Sequence, residues 1–119
     1  MTETVRINVR ESSGHTVVTP HGAVYFDTID ALRETLLQLA GAEHPRLVLD
    51  LSDLSVCDSS GLNLMVQIHQ LTTRHGGWLR LAAPQPIVRR ALEATNLTRL
   101  LPVYDTVTSA SEEGPRRNA

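Results

Sequence analysis

The chain has 119 residues, of which 41% are hydrophobic and 20% are charged, and its formal net charge at pH 7 is −2. These proportions suffice for one globular core and exclude general disorder, and the near-neutral charge argues against a nucleic-acid partner. The single cysteine excludes a disulfide framework. No apolar run approaches the roughly 18 residues of a membrane span, and the N-terminus lacks the apolar block of a signal peptide, so we expect a cytoplasmic protein without a membrane partner.

The chain begins with a pattern that is typical of two strands. Apolar and polar residues alternate over residues 5–10, which predicts a half-buried strand. A turn-forming cluster follows, and the β-branched run at 16–19 predicts a second strand. We expect this strand to stop at Pro20 and Gly22, because proline cannot donate a ladder hydrogen bond, and the alternative is that residues 24–26 continue it.

A helix and a buried strand come next. Asp27 and Thr28 are natural caps of a helix whose apolar positions recur at spacings of three and four residues up to Gly41. The continuous apolar run at 47–51 is typical of a central strand that is buried on both faces. Residues 52–58 are interpreted as a short loop.

The second half of the chain alternates helices with strands. A helix that is apolar over a wide arc is predicted from about residue 59 or 60 to residue 75. A strand at 78–82 and a helix at 87–95 follow, and residues 100–104 and 107–112 predict a last strand and a last short helix.

This order of elements predicts an α/β fold. Strands that alternate with helices favour parallel neighbours joined by crossover helices. We expect a mixed sheet of four to five strands with the helices packed mainly on one face. The chain shows no internal repeat or long linker, so residues 1–113 are interpreted as one domain and residues 114–119 as a flexible tail.

A polar cluster opens the second helix, directly after the strand at 47–51 and its loop. Asp58, Ser59 and Ser60 are all natural helix caps. In open α/β sheets, functional groups gather beyond the carboxyl ends of the strands, and a helix N-terminus there carries partial positive charge. One cap needs only one of these side chains. The serine hydroxyl that the cap does not use is therefore a candidate to accept a phosphate without unfolding the domain.

Residues 47–62 closely resemble the signature of STAS domains, in particular those of bacterial anti-sigma-factor antagonists. That signature is an apolar strand, a short loop and the sequence Asp-Ser-Ser-Gly-Leu, here at 58–62. Further similarity lies at 22–24, at the glycine pair 76–77 and along 86–96. The chain departs from the family at Tyr25, where an aspartate that contacts the partner is frequent, and Asp27, two residues later, is the alternative to it. Asn63 stands where a smaller residue is frequent.

The resemblance implies a STAS-like fold and a switch between partners. In this family the unphosphorylated protein binds an anti-sigma factor that is a serine kinase, and so frees a sigma factor. Phosphorylation of one serine, here Ser59, breaks the complex, and a serine phosphatase resets it. The positions that the resemblance assigns to partner binding are Tyr25, Asp58, Ser59, Ser60, Gly61, Leu62 and Asn63. The alternative is a STAS scaffold or sensor in a larger signalling assembly that does not control a sigma factor directly.

Other residues are given ordinary structural roles. The five histidines lack the spacing of a helical metal site and are predicted to lie at the surface, so no metal is expected. Cys57 continues an apolar pattern and is interpreted as a small buried side chain, although a reactive thiol near a helix N-terminus is the alternative. Of the two glycines of a hydrolase elbow around Ser59 only Gly61 is present, nothing identifies a partner histidine, and the chain has no Walker or dinucleotide motif. We therefore expect a binding module without a cofactor, not an enzyme.

Overall fold

A computed structural model of the protein describes residues 5–112. Within them the chain forms six strands, four α-helices and one 3₁₀ turn. In chain order these are β1 (Arg6–Ser12), β2 (His15–Val24), α1 (Asp30–Ala40), β3 (Arg46–Asp50), β4 (Leu54–Cys57), α2 (Ser59–Arg74), β5 (Trp78–Ala82), α3 (Pro86–Ala94), the 3₁₀ turn (Leu97–Arg99), β6 (Val103–Tyr104) and α4 (Val107–Glu112). The tail assigned to 114–119 lies outside the described residues.

The strands form one mixed sheet in the order β1-β2-β3-β5-β6, with β4 paired to β2 outside this path. Strand β1 is antiparallel to β2, and the other pairs are parallel. The α/β class is confirmed, and the sheet has six strands where four to five were expected. The segment at 52–58 was interpreted as a loop, whereas Leu54 and Cys57 are buried and β4 pairs with the end of β2.

Strand β2 continues through the two residues that were expected to end it. Its pairing with β3 ends at Val18, and its pairing with β4 begins at Gly22. Pro20 lies between these stretches, where β1 is its one neighbouring strand, so a missing N–H is tolerated there. Gly22 has φ +111° and lies at a register shift, a conformation that glycine adopts without strain. The predicted stop at Pro20 is therefore wrong, and of the alternative continuation at 24–26 only Val24 belongs to β2.

The two faces of the sheet are covered unequally. Helices α1, α2 and α3 bury their apolar faces against one side, in a single large core. The other side carries a smaller cluster in which Ala110 of α4 packs on Val17, Val48 and Ala82. The helices thus lie mainly on one face, as predicted. The main core on this face includes Leu62 and so fixes the start of α2.

A buried arginine joins α4 to the face of the sheet that carries the smaller cluster. Arg80 is 6% exposed, and its guanidinium carbon lies 3.8 Å from the centroid of the Trp78 ring. The guanidinium donates a hydrogen bond of 2.9 Å to the carbonyl oxygen of Ala110. The stacking on an aromatic ring and the hydrogen bond to a carbonyl replace much of the water that the cation loses on burial.

His15 corrects the expectation that all five histidines lie at the surface. It is only 7% exposed, and its ring centroid lies 6.5 Å from that of Trp78. His15 opens β2, so its side chain alternates onto the same face as Val17 and is covered there. Its position in a sequence turn gave no sign of this burial.

Across residues 5–112, no helix combines the length and the apolar character that crossing a bilayer requires.

Replacing Arg80 by alanine should lower the free energy of unfolding by about 2–3 kcal/mol, because it removes both the ring contact and the bond to α4. Urea unfolding followed by the fluorescence of Trp78, the one tryptophan of the chain, measures this. The matched control is Arg90→Ala on the exposed side of α3, which should change stability by less than about 0.5 kcal/mol. Equal effects of the two changes would contradict a holding role for Arg80.

Candidate functional site

The site lies where the parallel strands end and α2 begins. Strands β2 and β4 end side by side, at Val24 and Cys57. The backbone N–H of Asp58 donates to the carbonyl oxygen of Val24 at 3.1 Å, which extends this pairing by one residue. The first turn of α2 therefore lies beside the turn that follows β2, at the edge of the sheet where α/β proteins place functional groups.

The Asp58 carboxylate joins these two segments. It caps α2: Oδ1 accepts from the backbone N–H of Ser60 at 3.0 Å and of Gly61 at 3.4 Å. Its other oxygen, Oδ2, accepts from the backbone N–H of Phe26 at 3.0 Å. One side chain thus satisfies free donors of a helix terminus and of a turn 32 residues away. This geometry fixes the position of the turn relative to α2.

The hydrogen bonds to Asp58 also keep it ionised. The pKa of its carboxyl is lowered from the ordinary value of 3.8, mainly because the Ser60 hydroxyl donates to it. The backbone N–H groups of Phe26, Gly61 and Ser60 act in the same direction, and partial desolvation opposes them. Asp58 is therefore an anion at neutral pH, at a helix end that favours negative charge.

The two serines of the motif have different surroundings. The Ser60 hydroxyl donates to Oδ1 of Asp58 at 2.5 Å and is partly buried. Ser59, the first residue of α2, is exposed, and within residues 5–112 no group hydrogen-bonds its hydroxyl. Ser59 thus presents a free hydroxyl to solvent, whereas Ser60 serves the helix cap.

The next residues of the motif divide between core and surface. Gly61 is buried, and a Cβ there would lie 3.0 Å from Cβ of Cys57 and 3.3 Å from Cγ1 of Val24. Leu62 is 7% exposed and belongs to the main core, whereas Asn63 is exposed. Gly61 and Leu62 therefore support the site from beneath, and Asn63 shares its surface.

The turn after β2 presents two aromatic side chains. Tyr25 is 42% exposed and Phe26 is 76% exposed. Thr28 closes the turn: its backbone N–H donates to the Tyr25 carbonyl at 2.9 Å, and its hydroxyl accepts from the Tyr25 N–H at 2.9 Å. Asp27 and Thr28 were expected to cap α1, but the residue in the cap position is Ile29, and no side chain bonds the helix end.

No role in the site was predicted for Phe26, which was a candidate for a continuation of the second strand. Its position directly before the polar pair Asp27 and Thr28 was the available signal for a turn.

Cys57 lies directly beneath the site. It is 9% exposed, and burial, with a smaller effect of the Asp58 charge, raises the pKa of its thiol from 9.0 to about 11. The thiol is therefore protonated at neutral pH, which favours the interpretation of Cys57 as a buried packing residue.

The surroundings offer little room for a bound cofactor or metal. The apolar cavity under the site, lined among others by Val24, Cys57 and Gly61, holds about 10 Å³, roughly enough for one water molecule. Among residues 5–112, no group of three or more histidine, cysteine, aspartate or glutamate side chains is placed to bind a metal ion. The accessible chemistry of the site lies on its surface, at Ser59 and the neighbouring turn.

Replacing Asp58 by alanine should lower the free energy of unfolding at pH 7 by about 1–2 kcal/mol, because the cap of α2 and the link to the turn are lost. Since folding lowers the pKa of this carboxyl, its ionic stabilisation is present above the ordinary pKa of 3.8 and is lost as the pH falls through the lower folded value. Denaturant unfolding at several pH values should show the difference from wild type shrinking in acid. The matched control is Asp27→Ala, which removes an exposed carboxylate that has no hydrogen bond in the described residues. A loss of stability in Asp58→Ala that does not change with pH would contradict the ionic contribution.

The thiol of Cys57 should react with a disulfide reagent at pH 8 more than about 100-fold slower in the native protein than in urea, because it is buried and its pKa is raised. Absorbance of the released thiolate follows the reaction, and Cys57 is the only cysteine, so the signal is unambiguous. A native rate equal to the unfolded rate would favour a reactive thiol.

Comparison with known proteins identifies the family. The STAS domain family matches residues 6–110. An anti-sigma F factor antagonist of Paenibacillus polymyxa is 29% identical over 112 residues, which cover 92% of this chain and 94% of that protein. A Thermotoga maritima protein, provisionally named an anti-sigma factor antagonist, is 38% identical over 72 residues, 60% of this chain. The match spans 64% of the length of the Thermotoga protein.

Solved structures agree with this assignment. An anti-sigma factor antagonist from Mycobacterium paratuberculosis superposes with a TM-score of 0.83 at 26% identity, over 91% of this chain and 92% of that chain. The Bacillus cell fate determinant SpoIIAA in its phosphorylated form shares the fold, with a TM-score of 0.70 at 18% identity over 90% of this chain and 97% of that chain. A sheet with this order, the Asp-Ser-Ser-Gly-Leu turn at its edge and a family match over nearly the whole chain lead to one conclusion: the protein belongs to the STAS domain family.

Proposed function

We propose that this chain is an anti-sigma-factor antagonist whose binding is switched by phosphorylation of Ser59. The unphosphorylated form binds an anti-sigma factor that is itself a serine kinase, and thereby frees a sigma factor. Transfer of a phosphoryl group to Ser59 releases the partner, and a serine phosphatase restores the first form. The chain acts in the cytoplasm as a binding module, without catalysis or a cofactor of its own.

The exposed, unbonded hydroxyl of Ser59 carries this proposal. A kinase needs a hydroxyl that it can reach without unfolding its substrate, and Ser59 offers one at the surface of a well-packed helix end. The neighbouring Ser60 is a poorer acceptor, because its phosphorylation would break the hydrogen bond to Asp58. The first serine of the motif is thus favoured over the second.

The electrostatics of the site suit a reversible switch. A phosphate adds about −1.5 to −2 charges at neutral pH. The partial positive charge at the start of α2 tolerates this charge, so the fold is expected to persist. On the surface, the phosphate adds to the negative charge of Asp58 and alters what a partner meets. About 3 kcal/mol of repulsion and desolvation would weaken binding roughly 100-fold.

The relatives support the same role. Proteins similar to this chain along most of its length are named as antagonists of anti-sigma factors, and SpoIIAA, which shares the fold, has been solved in a phosphorylated form. The partner-binding surface that we propose consists of the exposed residues Tyr25, Ser59 and Asn63, positioned by the buried or bonded residues Asp58, Ser60, Gly61 and Leu62.

Incubation with ATP and purified serine-kinase anti-sigma factors from the same organism should add about 80 Da, the mass of one phosphoryl group, to the peptide that contains Ser59. Ser59→Ala should abolish this gain while retaining the partner, and Ser59→Asp should bind at least about 10-fold more weakly. The matched control Ser60→Ala should leave Ser59 a substrate. Mass spectrometry and calorimetric titration give the two readouts.

Two outcomes would contradict the proposal. Tight binding without any phosphoryl transfer would favour the scaffold or sensor alternative. Transfer to Ser60 in place of Ser59 would overturn the assignment of the acceptor.

A further inference from the structure

Phe26 presents the most exposed large apolar side chain in residues 5–112. Its 76% exposure exceeds the 52% of Ile87 and the 46% of Val9. Moving a phenyl ring from water into an apolar pocket is favourable by about 1.5–3 kcal/mol. In the free chain the ring stays mostly exposed to water, so this free energy can contribute to the binding of a partner.

The backbone that carries this ring is ordered by hydrogen bonds on both sides. The Tyr25–Thr28 turn is closed by the backbone bond of 2.9 Å from Thr28 to Tyr25. The N–H of Phe26 itself is bonded to Oδ2 of Asp58 at 3.0 Å. The turn that carries the ring is preorganised, so binding it costs less backbone ordering entropy than binding a flexible loop.

The same carboxylate connects Phe26 to the phosphorylation site. Asp58 is the residue before Ser59, and it bonds the N–H of Phe26 through one oxygen and the first turn of α2 through the other. The backbone of Phe26 and the start of α2 are thus joined through one residue, and the side chains of Phe26 and Ser59 are both exposed. One partner that covers this end of the sheet can therefore contact both.

The charges around the ring define what kind of partner fits. Asp27 follows Phe26, is exposed, and has no ion pair within residues 5–112. Asp30 bonds Arg33 at 2.8 Å and is thereby partly neutralised. The ring is thus flanked by the free carboxylate of Asp27 and the ionised, bonded carboxylate of Asp58. An apolar pocket with a basic rim complements this arrangement.

We propose that Phe26 is the hydrophobic anchor by which the anti-sigma factor holds the unphosphorylated chain, inserted into an apolar pocket of the partner whose rim carries a basic side chain opposite Asp27. This inference rests on the proposed function and adds the residue and the chemistry that bind the partner. A second copy of the chain is a poorer occupant, because a symmetric contact through this turn would bring two sets of Asp27 and Asp58 carboxylates together.

The experiment measures the Kd of the anti-sigma factor that binds the wild-type chain, by calorimetric titration with purified proteins. Phe26→Ala should weaken binding about 30-fold or more, as expected for a central aromatic anchor. The control Val9→Ala truncates another exposed apolar side chain, on β1, and should bind like wild type. Asp27→Lys should weaken binding about 10-fold at low salt and less at high salt.

Phosphoryl transfer gives a second readout on the same variants. Since Phe26→Ala leaves Ser59 and Asp58 intact, the kinase should phosphorylate it with a raised KM and a kcat close to wild type. Urea unfolding should be unchanged, because the ring is mostly exposed. A large loss of stability in this variant would overturn the anchor role and indicate a structural one.

The remaining outcomes separate the two proposals. If wild type binds and Phe26→Ala binds equally well, the anchor is overturned while the proposed function stands. If wild type binds none of the purified anti-sigma factors, both proposals fail. A wild-type dimer in size-exclusion chromatography that Phe26→Ala converts to monomer would show that a second copy covers the ring, which also overturns the proposal.

Discussion

The carboxylate of Asp58 joins the two segments that form the candidate site, the first turn of α2 and the turn after β2. It bonds two N–H groups and one hydroxyl of the first turn of α2, and the N–H of Phe26 in the turn after β2. Each bond satisfies a donor that would otherwise depend on water. Because the carboxylate accepts four hydrogen bonds, it stays ionised and its geometry is fixed. The free hydroxyl of Ser59 and the exposed ring of Phe26 take their positions from it.

This arrangement separates the parts that must stay rigid from the part that can change. Beneath the site, Gly61 approaches Cys57 and Val24 so closely that even a methyl group would crowd them. Leu62 and the apolar face of α2 anchor the helix in the main core. The surface above carries Ser59, Asn63 and the aromatic turn. A charge added at Ser59 would therefore change the electrostatic potential of the exposed surface and leave the packing beneath the helix end unchanged.

The opposite face of the sheet is stabilised by different means. There the cluster is small, and a buried arginine takes the place of a large apolar layer by stacking on Trp78 and bonding the end of α4. The two faces are linked through the central strands β3 and β5, whose alternate residues point to each side. The packing of α4 on this face thus depends on residues apart from the candidate site, whereas Asp58 serves both the cap of α2 and the geometry of that site.

Much of the architecture follows from local sequence patterns. The helix at 107–112, the strand at 78–82 and the start of α2 at Ser59 agree with the structure, because their periodicity and caps are local signals. The last strand was predicted too long: it was expected at 100–104, whereas β6 comprises only Val103–Tyr104. Short edge elements depend on their neighbours more than on propensity.

By itself the sequence determined the α/β order of the elements, the resemblance of residues 47–62 to STAS domains and the position of the polar cluster at a helix start. Only the tertiary structure decided which serine is free, because Ser60 is engaged by a carboxylate and Ser59 is not. It also decided that β2 passes through Pro20, that His15 is buried and that Phe26 lies beside the site. Each of these features depends on contacts between residues that are distant in sequence. Such contacts produce no periodic pattern in the sequence, so they could not be predicted from it.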